Sequence, residues 1–205
     1  VWFKRDLRIS DHLPIYKASN ESLPFIPLYV LDQNYWSQGF SSIRHWNFVY
    51  DCLEELKNEL SNIGQPLIIK KGSAANIFRD IQSIFKIKKV FAHEETSNNW
   101  VRKENLFVKN WFDNNQIEFI ESPTNGVIRG LKSRDDWIMI KNQRFFSDVI
   151  PSPVKLKKIE SYKSDSISRK SIIFKDNLIF NAQKGGRKTG LKILDTFLNL
   201  RSKSY

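Results

Sequence analysis

Five short apolar runs, separated by segments of helical length, constrain the fold of this 205-residue chain more than any other feature. Most of the intervening segments carry apolar residues at helical spacing. The clearest predicted helix begins near Ser42 and ends at Gly64, where apolar residues recur every three or four positions and the glycine favours termination. The five runs are Val1–Phe3, Phe25–Leu31, Leu67–Lys70, Lys89–Ala92 and Ile117–Ile120.

This alternation predicts an α/β fold, because strands joined by crossover helices pair in parallel and are covered on both faces. A short helix is expected around Pro14–Ser19, a second after Ser73 as its N-cap, and a third from about Asn98 to Asn115. In the third, Trp100, Phe107 and Trp111 are expected to widen the apolar face. We therefore expect a Rossmann-like five-stranded parallel sheet, with helices on both faces, over residues 1–122.

The character of the sequence changes after residue 122. Residues 123–184 are expected to form an interdomain connector, with a basic, serine-rich stretch after Pro153 that favours a solvated linker over a phosphate-binding segment. Residues 185–205 regain helical periodicity. A single amphipathic helix needs a partner surface, so we expect this segment to begin a second, helical domain. Its KGGRKTG motif resembles a phosphate loop, but Leu191 stands where the lysine would be, which favours a capped helix start.

Composition narrows the classes of function. The formal net charge of +11 is typical of proteins with a polyanionic partner such as nucleic acid, although a lysine-rich composition alone could produce it. No apolar run is long enough to span a membrane. Cys52 is the single cysteine, which excludes an internal disulfide and fits a reducing compartment. We expect a cytoplasmic monomer.

Polar side chains follow every predicted strand, and in parallel α/β sheets ligands bind beyond the carboxyl ends of the strands. The first strand is followed by an unusually dense charged segment, Lys4–Asp11. It could contact a ligand, or its charges could pair with one another, for example Arg8 with Asp6 or Asp11. The other residues at this edge are Asp32, Tyr35, Trp36, Lys71, Gly72, Ser73, His93, Glu94, Glu95, Thr96, Glu121 and Ser122.

No catalytic or metal-binding motif is recognisable in the chain. The glycine fingerprint of dinucleotide-binding folds is absent after the first strand. The three histidines, His12, His45 and His93, lack metal-ligand spacing, and one cysteine cannot build a thiolate site. Glu94 and Glu95 are adjacent on an extended segment, so their side chains should diverge. We predict neither a metal site nor catalytic residues.

The opening WFKRDLRISDH resembles the WFRRDLRLxDN opening of the DNA photolyase and cryptochrome family. The helix containing LEELKNEL, the LIIKKGS strand and turn, and the HEET and NGVIRGLKSRDDW stretches follow in the family's order. The final GGRKTGLKILDTFLNLRSKSY is similar to the segment that opens the family's helical flavin domain. Arg187 departs from that pattern, because glutamate is frequent at this position.

The resemblance implies an N-terminal α/β antenna domain, a connector and a C-terminal helical domain that binds FAD. The antenna would be a pterin (methenyltetrahydrofolate) or a deazaflavin that harvests light for the flavin. Tyr205 matches the first flavin-contacting tyrosine of the helical domain. Candidate antenna contacts are Arg5, Arg44, Glu94 and Glu95. The remaining flavin residues would follow Tyr205, which accounts for the lack of catalytic residues here.

By resemblance, the function is light-driven repair of cyclobutane pyrimidine dimers by a deoxyribodipyrimidine photolyase, with damaged DNA as the partner. The flipping of a lesion out of DNA would contribute to its selectivity. A cryptochrome-like blue-light photoreceptor without repair activity is the main alternative. Two others remain open: a nucleotide-binding α/β protein unrelated to light, and a freestanding light-harvesting subunit that partners a separate flavoprotein.

Overall fold

The structure, a computed structural model, describes residues 1–174 and 181–204. Its centre is a five-stranded sheet in which all neighbouring strands are parallel, in the order β3-β2-β1-β4-β5. This confirms the predicted sheet, and each strand falls within or next to its predicted run. The strands are β1 (Trp2–Phe3), β2 (Leu28–Leu31), β3 (Ile68–Lys71), β4 (Lys89–His93) and β5 (Glu118–Ser122).

Helices connect the strands as the periodicity predicts. The Ser42 hydroxyl caps the longest helix by accepting the His45 N–H at 3.3 Å, and Gly64, with φ of +108°, follows its end. Ser73 occupies the predicted N-cap position, but its side chain makes no capping bond. These helices are α1 (Leu13–Ser19), the short and unpredicted α2 (Gln33–Trp36), α3 (Ile43–Asn62), α4 (Ala74–Ile84) and α5 (Asn99–Asn114).

Two apolar cores lie on opposite faces of the sheet. Phe3 contributes to the core shared with α1 and α3, whereas its neighbour Trp2 contributes to the core shared with α4 and α5. Alternation along a strand sends adjacent side chains to opposite faces, so this two-residue strand serves both layers. Trp2 stacks edge-to-face on Phe78, with ring centroids 5.3 Å apart. The expectation that Phe107 widens the buried face of α5 is wrong, because its side chain is 55% exposed.

The connector packs against the sheet. Its residues from 156 to 165 run beside edge strand β3, where the Ile159 N–H donates to the buried side chain of Gln65 at 2.6 Å. The Asp165 N–H donates to the Ile69 carbonyl at 2.8 Å, and Leu156 is buried. A covered strand edge is protected from pairing with other chains. This part of the connector is therefore bound along its length, contrary to the expectation of a solvated linker.

Two further α-helices, α6 (Trp137–Phe145) and α7 (Arg187–Asn199), and two short 3-10 helices, Arg169–Ser171 and Arg201–Ser204, complete the described chain. Both α-helices expose apolar side chains; Phe146, directly after α6, is 84% exposed. The KGGRKTG motif contains the start of α7, as predicted. No helix in the described ranges is long and apolar enough to cross a membrane. The division at residues 122 and 184 stays a prediction.

Candidate functional site

A large cavity of about 1020 Å³ opens at the carboxyl ends of β1 and β2. Helices α3, α5 and α7 form its remaining walls. The chain moves outward from β1 to β2 and β3, then returns to β4 on the other side of β1. The topology therefore changes direction beside β1, which is where ligands bind in open parallel sheets. The cavity lies at the edge that the sequence predicted.

Aromatic rings form much of the apolar lining. Tyr35 and Trp36 follow β2, Trp100 comes from the first turn of α5, and Phe48 comes from α3. The ring centroids of Tyr35 and Trp100 are 5.9 Å apart, and those of Tyr35 and Trp36 are 5.1 Å apart. Such walls can stack on a planar ligand. Sequence reasoning missed Trp100 and Phe48 as site residues, because it assigned their helices only to packing.

Three of the four predicted antenna contacts, Arg5, Arg44 and Glu95, line this cavity. The Arg5 guanidinium donates to Glu95 Oε1 at 2.5 Å, and the Ser97 N–H donates to the same oxygen at 3.0 Å. The Glu95 side chain is buried, whereas that of Arg5 is 59% exposed. The pair therefore presents a cation at the surface of the cavity and holds its counter-charge inside the protein.

Glu94 does not join this group. Its side chain points to a smaller cavity of about 230 Å³ and lies 3.4 Å from Arg129, which also pairs with Glu121 at 2.8 Å. Its second carboxylate oxygen is buried and has no hydrogen-bond partner among the described residues. Arg5 and Glu95 also line this smaller cavity, but the two adjacent carboxylates have different partners, Arg129 for Glu94 and Arg5 for Glu95, as the predicted divergence of their side chains requires. Tyr205, the predicted flavin contact, lies outside the described residues.

Two further carboxylates, Asp32 and Glu104, line the large cavity besides Glu95. Burial raises the pKa of both, and the charge of Asp32 raises the pKa of Glu104 further. Arg44 and Arg187 lie in the same lining. The cavity therefore combines flat apolar walls with groups of both charges, which suits a heteroaromatic ligand with polar edges and an anionic substituent.

Asp6 anchors the charged segment that follows β1. Its Oδ2 lies 2.7 Å from His12 Nε2 and 2.5 Å from His93 Nδ1, and its Oδ1 accepts the Lys4 N–H at 2.8 Å. Burial alone would raise the pKa of Asp6, but the hydrogen bonds from the two imidazoles outweigh it and hold that pKa well below its usual range. Burial lowers the pKa of His12, against the opposing effect of Asp6. Asp6 is therefore an ionised carboxylate beside a neutral His12.

This cluster is a set of hydrogen bonds and fits a metal ion poorly. Asp6, His12 and His93 are the described residues whose ligand atoms converge, all within 4.8 Å of one another. The N–O separations of 2.5 and 2.7 Å are shorter than the spacing between ligands about 2.0–2.2 Å from a tetrahedral ion. His12 Nδ1 also accepts the Ile15 N–H at 3.2 Å, which fixes the proton on Nε2.

The neighbouring cations bond mainly to the backbone. Lys4 Nζ donates to Asn105 Oδ1 at 2.7 Å and to the His93 carbonyl at 3.3 Å, and burial lowers its pKa. The Arg8 guanidinium donates to the carbonyls of Ser10 and Asp11. The alternative in which Arg8 pairs with the Asp6 or Asp11 carboxylate is therefore wrong. Most of the charged segment builds its own loop, and Arg5 is the member that is half exposed at the cavity.

Known proteins are similar to this chain in sequence and in fold. The tomato (Solanum lycopersicum) cryptochrome DASH, chloroplastic/mitochondrial, is 28% identical over 134 residues, which cover 62% of this chain and 22% of the relative. The chain thus spans only 20–23% of the length of curated relatives such as this one.

Solved structures share the fold. A bacterial class III photolyase from Agrobacterium tumefaciens superimposes with a TM-score of 0.75 at 18% identity, covering 97% of this chain and 44% of that one. An archaeal photolyase from Sulfolobus tokodaii, described with two FAD molecules, gives a TM-score of 0.70 at 20% identity, covering 94% and 45%. The family model for DNA photolyase matches residues 1–130, more than half of the chain. This chain belongs to the DNA photolyase family.

Proposed function

We propose that the chain is the light-harvesting part of a flavin-dependent photolyase or cryptochrome, and that its large cavity holds a planar antenna chromophore. One observation carries the proposal: a cavity of about 1020 Å³ with aromatic walls opens at the ligand-binding edge of the family's α/β domain. When bound, the chromophore would absorb light and pass its excitation to a flavin.

The residues present fit such a group. Pockets for small molecules have volumes of about 300–1,000 Å³, so this cavity accommodates a flavin-sized or pterin-sized ligand. Tyr35 and Trp100 would stack on the ring system, and Arg5 and Arg44 would bind an anionic substituent. The two FAD molecules described for the archaeal photolyase support a flavin as one candidate. A pterin and a deazaflavin are the others. The structural role of Glu94 makes it the weakest of the proposed contacts.

Titration of the purified chain with flavin mononucleotide and with methenyltetrahydrofolate tests the proposal; the first stands in for both a flavin and a deazaflavin, whose ring systems have the same shape, and the second is the pterin. At least one should bind at micromolar concentration, with a shifted absorption band and quenched fluorescence of the cavity tryptophans. Trp100→Ala should weaken binding about tenfold, since stacking on one aromatic ring contributes on the order of 1–3 kcal/mol per ring. Phe107→Ala is the matched control, because Phe107 lies on the same helix and is exposed outside the cavity. If neither compound binds, or if both variants bind equally, the proposal fails.

For the complete protein we propose repair of cyclobutane pyrimidine dimers in DNA, with FAD as the catalytic cofactor. We also propose residues 1–122 as the antenna domain, residues 123–184 as the connector, residues 185–205 as the start of the flavin domain and Tyr205 as an FAD contact. The net charge of +11 favours a polyanionic partner, which supports DNA as substrate. A cytoplasmic monomer remains our expectation.

The second candidate function is a blue-light photoreceptor without repair activity. It is supported because some similar proteins are named cryptochromes and others deoxyribodipyrimidine photo-lyases. A repair assay on the complete protein separates the two. Irradiated oligonucleotides should lose their dimers under blue light when the flavin is reduced, and dimers that persist would favour the photoreceptor.

A further inference from the structure

Helix α7 forms one wall of the large cavity, and its first turn is bound to α3. The Gly185 N–H donates to Asp51 Oδ2 at 3.1 Å, and the Lys188 N–H donates to Glu55 Oε1 at 2.9 Å. The Gly186 N–H donates to Cys52 Sγ at 3.2 Å. Amides at a helix N-terminus lack partners within the helix, and carboxylates there are favoured by the helix dipole. Acidic side chains of α3 therefore cap α7 from outside.

The two glycines are necessary for this approach. A Cβ at position 185 would lie far inside van der Waals contact of the Phe48 carbonyl oxygen. Gly186 has φ of +100°, and a Cβ there would lie 2.5 Å from a carboxylate oxygen of Glu55. The double glycine therefore allows the backbone of α7 to rest directly on α3.

The same contacts tie the connector to α3. The Arg169 guanidinium pairs with Asp51 and lies 5.0 Å over the Tyr50 ring. The backbone carbonyl of Arg169 accepts the Trp46 indole N–H at 2.8 Å. Asp51 thus binds both the connector and the start of α7. This arrangement fixes the distance between α3 and α7 on one side of the cavity.

We infer that Asp51 and Glu55 are positioning residues that hold α7 against α3 as a wall of the cavity, and that occupation of the cavity and docking of α7 stabilise each other. Residues Gly186, Gly190, Leu191 and Leu194 of this wall face the cavity. A ligand in contact with them binds the docked arrangement better than a loosened one. Linkage requires that the ligand then strengthens the docking by the same factor.

Cys52 provides a test of the docking that needs no ligand, because it is the single thiol of the chain and bonds directly to Gly186. Gly186→Ala changes no charge but should loosen the start of α7 from α3. The hydrogen bonds lost there include one to a carboxylate, so the rate at which Cys52 reacts with dithiobis-nitrobenzoate should rise about tenfold. Gly39→Ala is the control, since a Cβ there meets no atom within 4 Å and Gly39 does not line the large cavity. Equal rates in the two variants, with native circular dichroism in both, would overturn the inference.

Glu55 needs its own control, because its charge contributes to raising the pKa of the Cys52 thiol, for which burial is the largest cause. Glu55→Gln removes that charge and keeps an oxygen that can accept the Lys188 N–H, whereas Glu55→Ala removes both. Faster thiol reaction in the alanine variant than in the glutamine variant is expected. The same rate in both would assign the effect to charge alone and refute a positioning role for Glu55.

The linkage itself rests on the proposed chromophore site. With flavin mononucleotide as the probe, Glu55→Ala should bind several-fold more weakly than Glu54→Ala, which removes the same charge from the next position of α3. Bound probe should slow hydrogen exchange at the Lys188 amide by a similar factor. If the Cys52 thiol of Glu55→Ala reacts faster while the affinity of this variant for flavin mononucleotide is unchanged, the linkage is refuted. If neither flavin mononucleotide nor methenyltetrahydrofolate binds the wild type, the proposed chromophore site and its linkage both fail, and the thiol rates still decide the docking.

Discussion

Replacement of Asp6 by asparagine should destabilise the fold although the side chain keeps its size. The carboxylate accepts three hydrogen bonds: one on Oδ1 from the Lys4 N–H, and two on Oδ2 from His12 and His93. An amide has a single acceptor oxygen. Because Ile15 fixes the His12 proton on Nε2, the asparagine NH₂ must face either that N–H or the Lys4 N–H.

The magnitude follows from these contacts. A buried donor left facing another donor costs about 1–3 kcal/mol, and hydrogen bonds to an ionised acceptor are about twice as strong as those to a neutral one. With one donor unpaired and the remaining bonds weakened, the expected loss is about 2–5 kcal/mol. That is a large fraction of the roughly 5–15 kcal/mol by which a typical domain is stable.

Urea unfolding followed by circular dichroism measures the loss. Asp11→Asn is the matched control: Asp11 lies in the same loop, is exposed and has φ of +52°, a conformation that asparagine tolerates. It should change stability by less than about 1 kcal/mol. If Asp6→Asn is as stable as Asp11→Asn, the cluster contributes little, and the assignment of Asp6 as an ionised, triply bonded carboxylate is refuted.

Three other perturbations follow from the structure. Gly185→Ala should separate α7 from α3 and increase proteolysis at the start of α7, because its Cβ would clash with the Phe48 carbonyl. His12→Asn should flatten the pH dependence of stability. Burial lowers the pKa of His12 below its ordinary value of 6.5, so the neutral form is favoured in the folded state. The stability it contributes is fully present above about pH 6.5 and is lost as the pH falls through the lowered pKa. Gln65→Ala should cost about 1–3 kcal/mol by leaving the Ile159 N–H unpaired, and tryptic cleavage in the connector should accelerate.

Matched variants distinguish these effects from general destabilisation. Gly39→Ala tests the glycine argument, because a Cβ there meets no atom within 4 Å. Gln38→Ala removes a glutamine whose hydrogen bond is exposed, so it should leave the connector resistant to trypsin. A flat stability profile between pH 5 and 6.5 in the wild type would contradict the assignment of a neutral, buried His12. The same profile in wild type and His12→Asn would contradict it equally.

Periodicity was sufficient to predict the elements of the sheet, because the spacing of apolar residues reports local conformation directly. It could not predict the strand order, which depends on how distant segments pair. The order places β4 beside β1 and thereby brings His93 to Asp6, 87 residues away in sequence. No spacing rule would have joined them. The attachment of the connector to β3 was missed for the same reason, since Gln65 and Ile159 meet only in the folded chain.

The candidate site was predictable where its residues directly follow strands. Arg5 and Glu95 each lie two residues after a strand, and the shared edge of a parallel sheet brings them together. Trp100 and Phe48 lie on helices, where an aromatic residue fits a core as well as a cavity wall. Sequence alone could not distinguish these roles, because the difference depends on how far α5 and α3 stand from the sheet.

The hydrogen bonds among Asp6, His12 and His93 explain why so many charged residues follow β1. β1 is the central strand, so the loop that follows it is enclosed by its neighbours and must satisfy its polar groups internally. Asp6 does so for the Lys4 amide and both imidazoles, and Lys4 and Arg8 bind carbonyls of β4 and of the loop itself.

With those bonds made, the loop is rigid, and Arg5 is held at the cavity mouth. A ligand that binds Arg5 therefore meets a cation whose position is already fixed, so less conformational entropy is lost on binding. Asp6→Asn should accordingly weaken chromophore binding as well as stability, although Asp6 is not part of the large cavity lining.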